Sequence, residues 1–394
     1  VKYCIVIIDG AAGLPLPEHG DKTCLELANT PNLDAMARAG VLGLARTVPP
    51  GMEPSSACAC MSVLGYNPVV YYRGRAAIEA RSMGITVNSD EVVFRCNLVT
   101  IHDNKMHDYS CGHIATGEAR ELIEAINDEL GSDRIHFYPG ISYRHICKIK
   151  GREDTLAAIC TPPHDIPGKD VAGSLPRGAG SDILRDLMAH SEAVLRRHPV
   201  NAEREARGDV PATSIWLFWG SGRVPEIPPF QQLYGLSAAL TSGVDLLKGL
   251  ADMAEIEILD IAGVTDGPDN DYPGQANGAL EALKEHDLCV IHVEAPDEAA
   301  HAGSTHEKIE AIQKVDREVL GRLRSYAAQP LRILVMPDHP TPIQFKTHTA
   351  EPVPFLLWGA GFNANGAGRF TEAEAIKTGV FVDPGYNIIR KLIA

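Results

Sequence analysis

Short apolar runs recur along the chain and end in Asp or Gly: Tyr3 to Asp9, Ser214 to Gly220, Glu255 to Asp260, Leu288 to Glu294, Leu331 to Asp338 and Val353 to Gly359. Each is followed by apolar positions at helical spacing. Uninterrupted runs of this length suit strands buried on both faces, and strands alternating with helices predict an α/β domain with a mostly parallel sheet flanked by helices. Thr30 and Pro31 read as the N-cap and first position of a helix over Asn32 to Ala39, closed by Gly40. Thr305 precedes a long amphipathic stretch, His306 to Ala327, whose Ile309, Ile312, Val315, Val319 and Leu320 fall on one face.

The middle of the chain has another rhythm. Val92 to Thr100, a His102-Asp103-Asn104-Lys105 turn and Met106 to Tyr109 predict antiparallel pairing, as do Arg134 to Tyr138 and Tyr143 to Lys150, with a helix from Glu118 to Leu130 between them. A Pro- and Gly-rich loop, Thr161 to Gly180, precedes helices near Asp182 to Arg197 and Asn201 to Arg207. This pattern predicts a smaller α+β unit, residues 85–189, inserted into a core made of 1–84 and 190–394.

Composition narrows the function classes. A chain of 394 residues is long enough for about two domains with cores of their own, which excludes a small disulfide scaffold. With 36 Lys and Arg against 51 Asp and Glu, the formal charge is -15, so no broad basic surface exists for nucleic acid or anionic lipid. No apolar run approaches the roughly 20 residues of a membrane helix. Val1 to Gly10 reads as a strand and turn, not a leader, and the expected compartment is the cytoplasm. The nine cysteines are scattered, with Cys58 and Cys60 the only close pair, so reduced thiols are expected.

In an open α/β sheet, side chains just past the strand ends converge on one rim. Asp9, Asp297, Asp338 and His339 follow predicted strands, His301 stands four residues after Asp297, and His348 lies in the approach to the last run. Mixed Asp and His donors suit divalent ions, and this number of them exceeds one tetrahedral site, so two ions are expected. Ser55 and Ser56 stand where a loop meets the helical pattern Ala57 to Leu64. A hydroxyl there is a candidate nucleophile facing the helix N-terminus and the rim, or equally an N-cap and a first-turn residue.

Several motifs occur in order: Ile8-Asp9-Gly10, Thr30-Pro31-Asn32-Leu33-Asp34, Ser62-Val63-Leu64-Gly65-Tyr66-Asn67-Pro68, Tyr71-Tyr72-Arg73-Gly74-Arg75, Phe94-Arg95-Cys96-Asn97, Trp219-Gly220-Ser221-Gly222, Ala295-Pro296-Asp297-Glu298-Ala299-Ala300-His301, Pro337-Asp338-His339 and Thr347-His348-Thr349. The set resembles the archaeal-type cofactor-independent phosphoglycerate mutases, of the alkaline phosphatase superfamily. The resemblance implies an alkaline phosphatase-like core with an inserted α+β lid domain, and two divalent ions drawn from Mn, Zn, Co or Mg. One ion would be held by Asp297, His301 and His348, the other by Asp9, Ser56, Asp338 and His339. Bisphosphoglycerate is not implied.

The family's nucleophile lies ten residues before the Tyr of Leu-Gly-Tyr, which falls on Ser56. Ser55 and Ala57 depart from the Gly and the acidic residue that flank it in the family. The implied activity interconverts 3-phosphoglycerate and 2-phosphoglycerate through a phosphoserine. A substrate with phosphate and carboxylate calls for arginines and polar partners, and Arg73, Arg75, Arg95, Asn97, Arg144, His113, His164, Asp165 and Lys308 are the candidates. A metallophosphatase or phosphodiesterase on the same scaffold, and a metal-binding homologue without turnover, remain as alternatives. The chain has no G-x-x-x-x-G-K-[ST] loop of an ATP-dependent kinase.

Overall fold

In the computed structural model the first apolar run is the central strand of a sheet. Lys2–Ile8 pairs in parallel with Leu288–Val293 on one side and Leu331–Met336 on the other, and Cys4 to Ile8 have no solvent exposure. A strand covered on both faces needs apolar side chains at every position, which is why this run does not alternate. The structure describes all residues except 225 and 327, and its internal contacts separate two units: Val1–Tyr72 with Glu226–Ala394, and Arg73–Pro225.

The sheet of the first unit runs in the order Phe381–Val382, Val41–Ala45, Val353–Gly359, Leu331–Met336, Lys2–Ile8, Leu288–Val293, Ala238–Thr241 and Glu257–Ile258. Its pairings are parallel except those of Val353–Gly359, which is antiparallel to both neighbours. This reversal matters for the rim. Val335 pairs with Leu356, so the start of the reversed strand lies beside the end of Leu331–Met336. The loop carrying His348 into that strand therefore reaches the same rim as residues leaving the parallel strands. Val41–Ala45 and Ala238–Thr241 were not expected as strands, because Ala, Gly and Leu give them little β signal.

The stretch after Thr305 is helical but not uniform. It runs Thr305–Lys314, widens into a π-helix at Val315–Leu320 and resumes at Gly321–Arg324, and the expected end at residue 327 lies outside the described residues. The π segment carries buried Asp316, whose Oδ1 accepts from Leu33 N at 2.6 Å and whose Oδ2 accepts from Asn32 N at 3.3 Å. Those donors open the Pro31–Ala39 helix, so Asp316 caps it from a distance, whereas Thr30 makes no side-chain cap.

The second unit has an antiparallel sheet. Glu91–His102 lies between Arg144–Lys150 and Ser214–Ser221, with Ile135–Tyr138 beyond Arg144–Lys150. Lys105–Asp108 folds back through Asp103 and Asn104, both left-handed with φ of 48° and 59°. The helices Thr116–Leu130 and Ser181–Arg196 contribute Leu122, Ile123, Ile126, Leu184 and Leu195 to its core.

Two expectations are corrected here. The Ser214 to Gly220 run belongs to this antiparallel sheet and not to the parallel one, because an unbroken apolar run carries no record of strand direction. The unit is also wider than 85–189, since Ser214–Ser221 pairs with Glu91–His102 and its Ser221 Oγ accepts from Ala77 N at 2.8 Å, tying in the Arg75–Ser82 helix. No helix among the described residues is long and apolar enough to cross a membrane.

Candidate functional site

Asp9 leaves the central strand fully buried, and Gly10 then turns with φ 60°. A Cβ at Gly10 would stand 2.3 Å from Asp297 Oδ1, so only glycine lets this turn pass beside that carboxylate. Asp338 and His339 leave the neighbouring strand, also fully buried. Asp338 Oδ1 accepts from Gly10 N at 3.2 Å and from His339 N at 2.8 Å, which joins the two strand ends. His339 Nε2 lies 3.3 Å from Asp338 Oδ2 and 3.5 Å from Asp9 Oδ1.

Ser56 opens the Ser56–Val63 helix, and its Oγ is 3.2 Å from His339 Nε2. Ser55 is the N-cap, its Oγ accepting from Cys58 N at 3.3 Å. One hydroxyl thus caps the helix and leaves the other directed at His339.

A second group lies beside the first. Asp297 and His301 sit one turn apart on the Ala295–Ala302 helix, with Asp297 Oδ2 at 3.1 Å from His301 Nε2 and 3.5 Å from His348 Nε2. The two imidazole Nε2 atoms are 2.9 Å apart. His301 Nδ1 donates to Lys346 O at 2.9 Å, which turns Nε2 toward Asp297. Thr341 links the groups, donating to Asp297 Oδ1 at 2.5 Å and lying 3.2 Å from His339 Nδ1.

Burial would raise the Asp297 pKa, but His301 and His348 hold it well below the usual carboxylate range, and Asp297 in turn lifts His301 to about 10 against its burial. Asp9 goes the other way, raised by burial and then by Asp338 and Asp297. Glu294 is raised by burial and then by Asp9. Oδ1 of Asp9 and Oε2 of Glu294 are buried without hydrogen-bond partners. Orphaned buried acid oxygens among imidazoles are the chemistry a divalent cation satisfies, and the donor sets Asp9, Asp338, His339 and Asp297, His339, His348 each lie within 4.8 Å. The donor chemistry fits a divalent ion, and His339 is common to both sets.

All of the expected rim residues come together. Sequence reasoning missed His292, whose Nε2 donates to Asp9 Oδ2 at 2.8 Å while Nδ1 accepts from Ser242 Oγ at 2.9 Å; burial lowers its pKa and keeps the ring neutral. It also missed Glu294 and Cys60, which lies 3.4 Å from Asp338 Oδ2. The available signal was a His and a Glu two apart in an apolar strand, hence on one face.

Lys308 is a correction. Its ammonium is fully buried and donates to Ala12 O at 3.0 Å and Thr341 O at 2.8 Å, so it stitches the loop after Asp9 to the loop after His339 instead of presenting a cation to substrate.

The other substrate candidates lie in the second unit. Arg95 is buried and donates through Nη1 to both oxygens of Glu79, at 2.7 and 2.8 Å, and through Nε to Asn97 Oδ1 at 3.2 Å. Arg75 Nε donates to Glu79 at 2.6 Å, and its guanidinium stacks 4.8 Å from the Trp219 ring. His164 packs against Trp219 at 5.3 Å, with Asp165 3.9 Å from its Nε2, while Arg144 lies over Tyr143 and His113 packs on that ring. Arg73 is exposed, just before the Arg75–Ser82 helix. Glu79, which gathers Arg75 and Arg95, was not foreseen.

The chain is similar to known proteins along its whole length. Residues 37–201 match the family model described as 2,3-bisphosphoglycerate-independent phosphoglycerate mutase. Proteins of that name from Methanosarcina acetivorans and Methanothrix thermoacetophila are 44% identical over 382 residues, covering 96% of each chain, and 45% identical over 397 residues, covering 100% of each. Among solved structures, a Pyrococcus horikoshii protein superposes with a TM-score of 0.81 at 26% identity, covering 100% of this chain and 96% of the other. A cofactor-independent phosphoglycerate mutase from Thermoplasma acidophilum shares the fold with a TM-score of 0.61 at 23% identity, covering 100% and 98%. Likeness at this level along the whole length means that the chain belongs to the 2,3-bisphosphoglycerate-independent phosphoglycerate mutase family.

Proposed function

We propose that this chain interconverts 3-phosphoglycerate and 2-phosphoglycerate through a phosphoserine at Ser56, as a cytoplasmic isomerase that needs no bisphosphoglycerate. The observation that carries this reading is the position of Ser56 Oγ at a helix N-terminus, 3.2 Å from His339 Nε2, inside the Asp and His cluster of a chain of this family. Two divalent ions, of the Mn, Zn, Co or Mg class, held by Asp297, His301 and His348 and by Asp9, Ser56, Asp338 and His339, would supply Lewis-acid neutralisation of the transferring phosphoryl group.

Ser56 Oγ attacks phosphorus in line, forming the Ser56 O–P bond as the bond to the 3-oxygen of glycerate breaks. The helix amides at Ser56 face the developing charge. Glycerate then reorients, and its 2-hydroxyl attacks the phosphoserine, restoring the free serine. For the carboxylate and phosphate of the substrate we propose Arg75 and Arg95, supported by Arg73, Arg144, Asn97, His164 and Asp165. In this reading the unit Arg73–Pro225 is the substrate lid, and it excludes water so that glycerate remains the acceptor.

A phosphatase outcome has one observation in its favour: Ala57, fully buried beside the nucleophile, has no carboxylate to restrain the acceptor. Phosphorus NMR of the holoenzyme with 3-phosphoglycerate separates the two. The expected product is 2-phosphoglycerate, and inorganic phosphate as the main product overturns the mutase reading. Ser56→Ala is expected to lower turnover at least 1000-fold while bound metal, measured by elemental analysis, stays unchanged; full activity in that variant rejects Ser56.

A further inference from the structure

The helix that carries Ser56 brings a second donor to the same acids. Ser56 and Cys60 are four residues apart on Ser56–Val63, so one face of the helix presents both. Ser56 Oγ lies 3.2 Å from His339 Nε2, and Cys60 Sγ lies 3.4 Å from Asp338 Oδ2. Cys60 also forms a compact set with Asp9 and His292, their donor atoms all within 4.8 Å of one another and all three side chains buried. The other Asp9 oxygen, Oδ1, is buried without a hydrogen-bond partner. Cys58, two residues earlier and so on another face, packs with Val48 and Ala59. The Cys58-x-Cys60 pair is therefore not a chelate: one thiol is core, and the other faces carboxylates.

The Cys60 thiol donates a weak hydrogen bond to Asp338 Oδ2, which holds its sulfur against the carboxylate. A ligand role goes one step further. In a five-coordinate ion with sulfur at about 2.3 Å and oxygen at about 2.0 Å, adjacent ligands stand roughly 3.0–3.5 Å apart, a range that includes the 3.4 Å between Cys60 Sγ and Asp338 Oδ2. We propose that Cys60 is a further ligand of the cation held by Asp9 and Asp338, and that its sulfur makes this position select zinc or cobalt over magnesium. The inference rests on the two-metal reading above. Coordination replaces the S–H bond with a sulfur–metal bond, and the proton passes to solvent. Thiolate donors favour borderline and soft dications, whereas a set of oxygens and imidazoles discriminates less against Mg and Mn.

Cobalt substitution tests this without using activity. The Co-loaded enzyme is expected to show visible ligand-field bands together with a near-ultraviolet sulfur-to-cobalt charge-transfer band. In Cys60→Ser the charge-transfer band is expected to vanish while the visible bands persist, and in Cys58→Ser both remain. In metal competition, Cys60→Ser is expected to lose at least tenfold in its preference for zinc over magnesium. Visible bands without a charge-transfer band in the wild type overturn the Cys60 inference and leave the two-metal centre standing. Absence of both bands overturns the metal centre itself. Should Cys60→Ser not fold, the wild-type spectrum and Cys58→Ser still decide.

Discussion

Glu79 shows how a single side chain can govern several others. Its carboxylate takes Arg95 on both oxygens and Arg75 on one, and although burial alone would raise its pKa, Arg95 and then Arg75 hold it at about 2. A carboxylate depressed from an ordinary 4.5 stabilises the fold fully above that value, and the contribution is lost as pH falls from 4.5 toward 2. The full effect is about 3 kcal/mol. His145 acts in the same direction: burial lowers it to about 3, so the unfolded chain takes up a proton below pH 6.5 that the folded chain refuses. Glu79→Gln is expected to cost about 3 kcal/mol at pH 7, since it leaves Arg95 buried without its partner, and to flatten the stability loss between pH 4.5 and 2. Urea unfolding across that range checks both, and wild-type stability in the variant at pH 7 would show that the ion pair contributes nothing. Of the residues expected from sequence, Asp9, Asp338 and His339 follow strand ends, Asp297 and His301 share the helix after one, and His348 lies in the loop before another, so local pattern places them. Glu79, His292 and Cys60 owe their meaning to partners such as Arg95, Asp9 and Asp338 that only folding brings close. Lys308 stood among the substrate candidates because a lysine near phosphate chemistry and a lysine tying two carbonyls look alike in a sequence.

Elements follow the same division between local and distant causes. The helix boundary at Pro31 is legible from its proline, but the group that satisfies its amides is not Thr30, and Asp316 lies far along the chain on a π segment that no hydrophobic spacing announces. Asp316→Ala removes the acceptor of two buried or half-buried N–H groups and is expected to destabilise the first unit by about 2 kcal/mol. Thr30→Ala, which removes no cap, is expected to cost less than about 1 kcal/mol. Equal losses in denaturant titrations of the two variants would refute capping by Asp316. Strand direction is the other thing that spacing does not encode. Val353–Gly359 and Ser214–Ser221 read like the parallel strands, yet both pair antiparallel, one delivering His348 to the rim and the other completing the second unit. Inclusion of Ser214–Ser221 is also what carries that unit beyond its expected limits.

At the scale of the molecule, a formal charge of -15 includes acids that the core cannot tolerate unaided, among them Asp9 and Asp338, each fully buried at the same rim. Ions bound only by the folded state stabilise it by RT ln(1 + [L]/Kd), about 4 kcal/mol at a thousandfold excess over Kd, so chelation should lower stability where the acids are. The two units have separate cores, one around Val6, Ile291 and Val335 and the other around Phe94, Leu122 and Trp216. Every candidate metal ligand belongs to the first unit, and the tryptophans divide between them: Trp358 lies in the first, Trp216 and Trp219 in the second. Single-tryptophan variants therefore report on each unit separately. Adding a chelator is expected to shift the denaturation midpoint seen by Trp358 downward, and excess zinc or manganese to restore it. The midpoint seen by Trp216 should move much less, because no cation-seeking cluster lies in its unit among the described residues. A chelator shift of equal size in both signals would mean that the units unfold as one, and no shift in either would mean that the buried acids are neutralised by protons and not by metal.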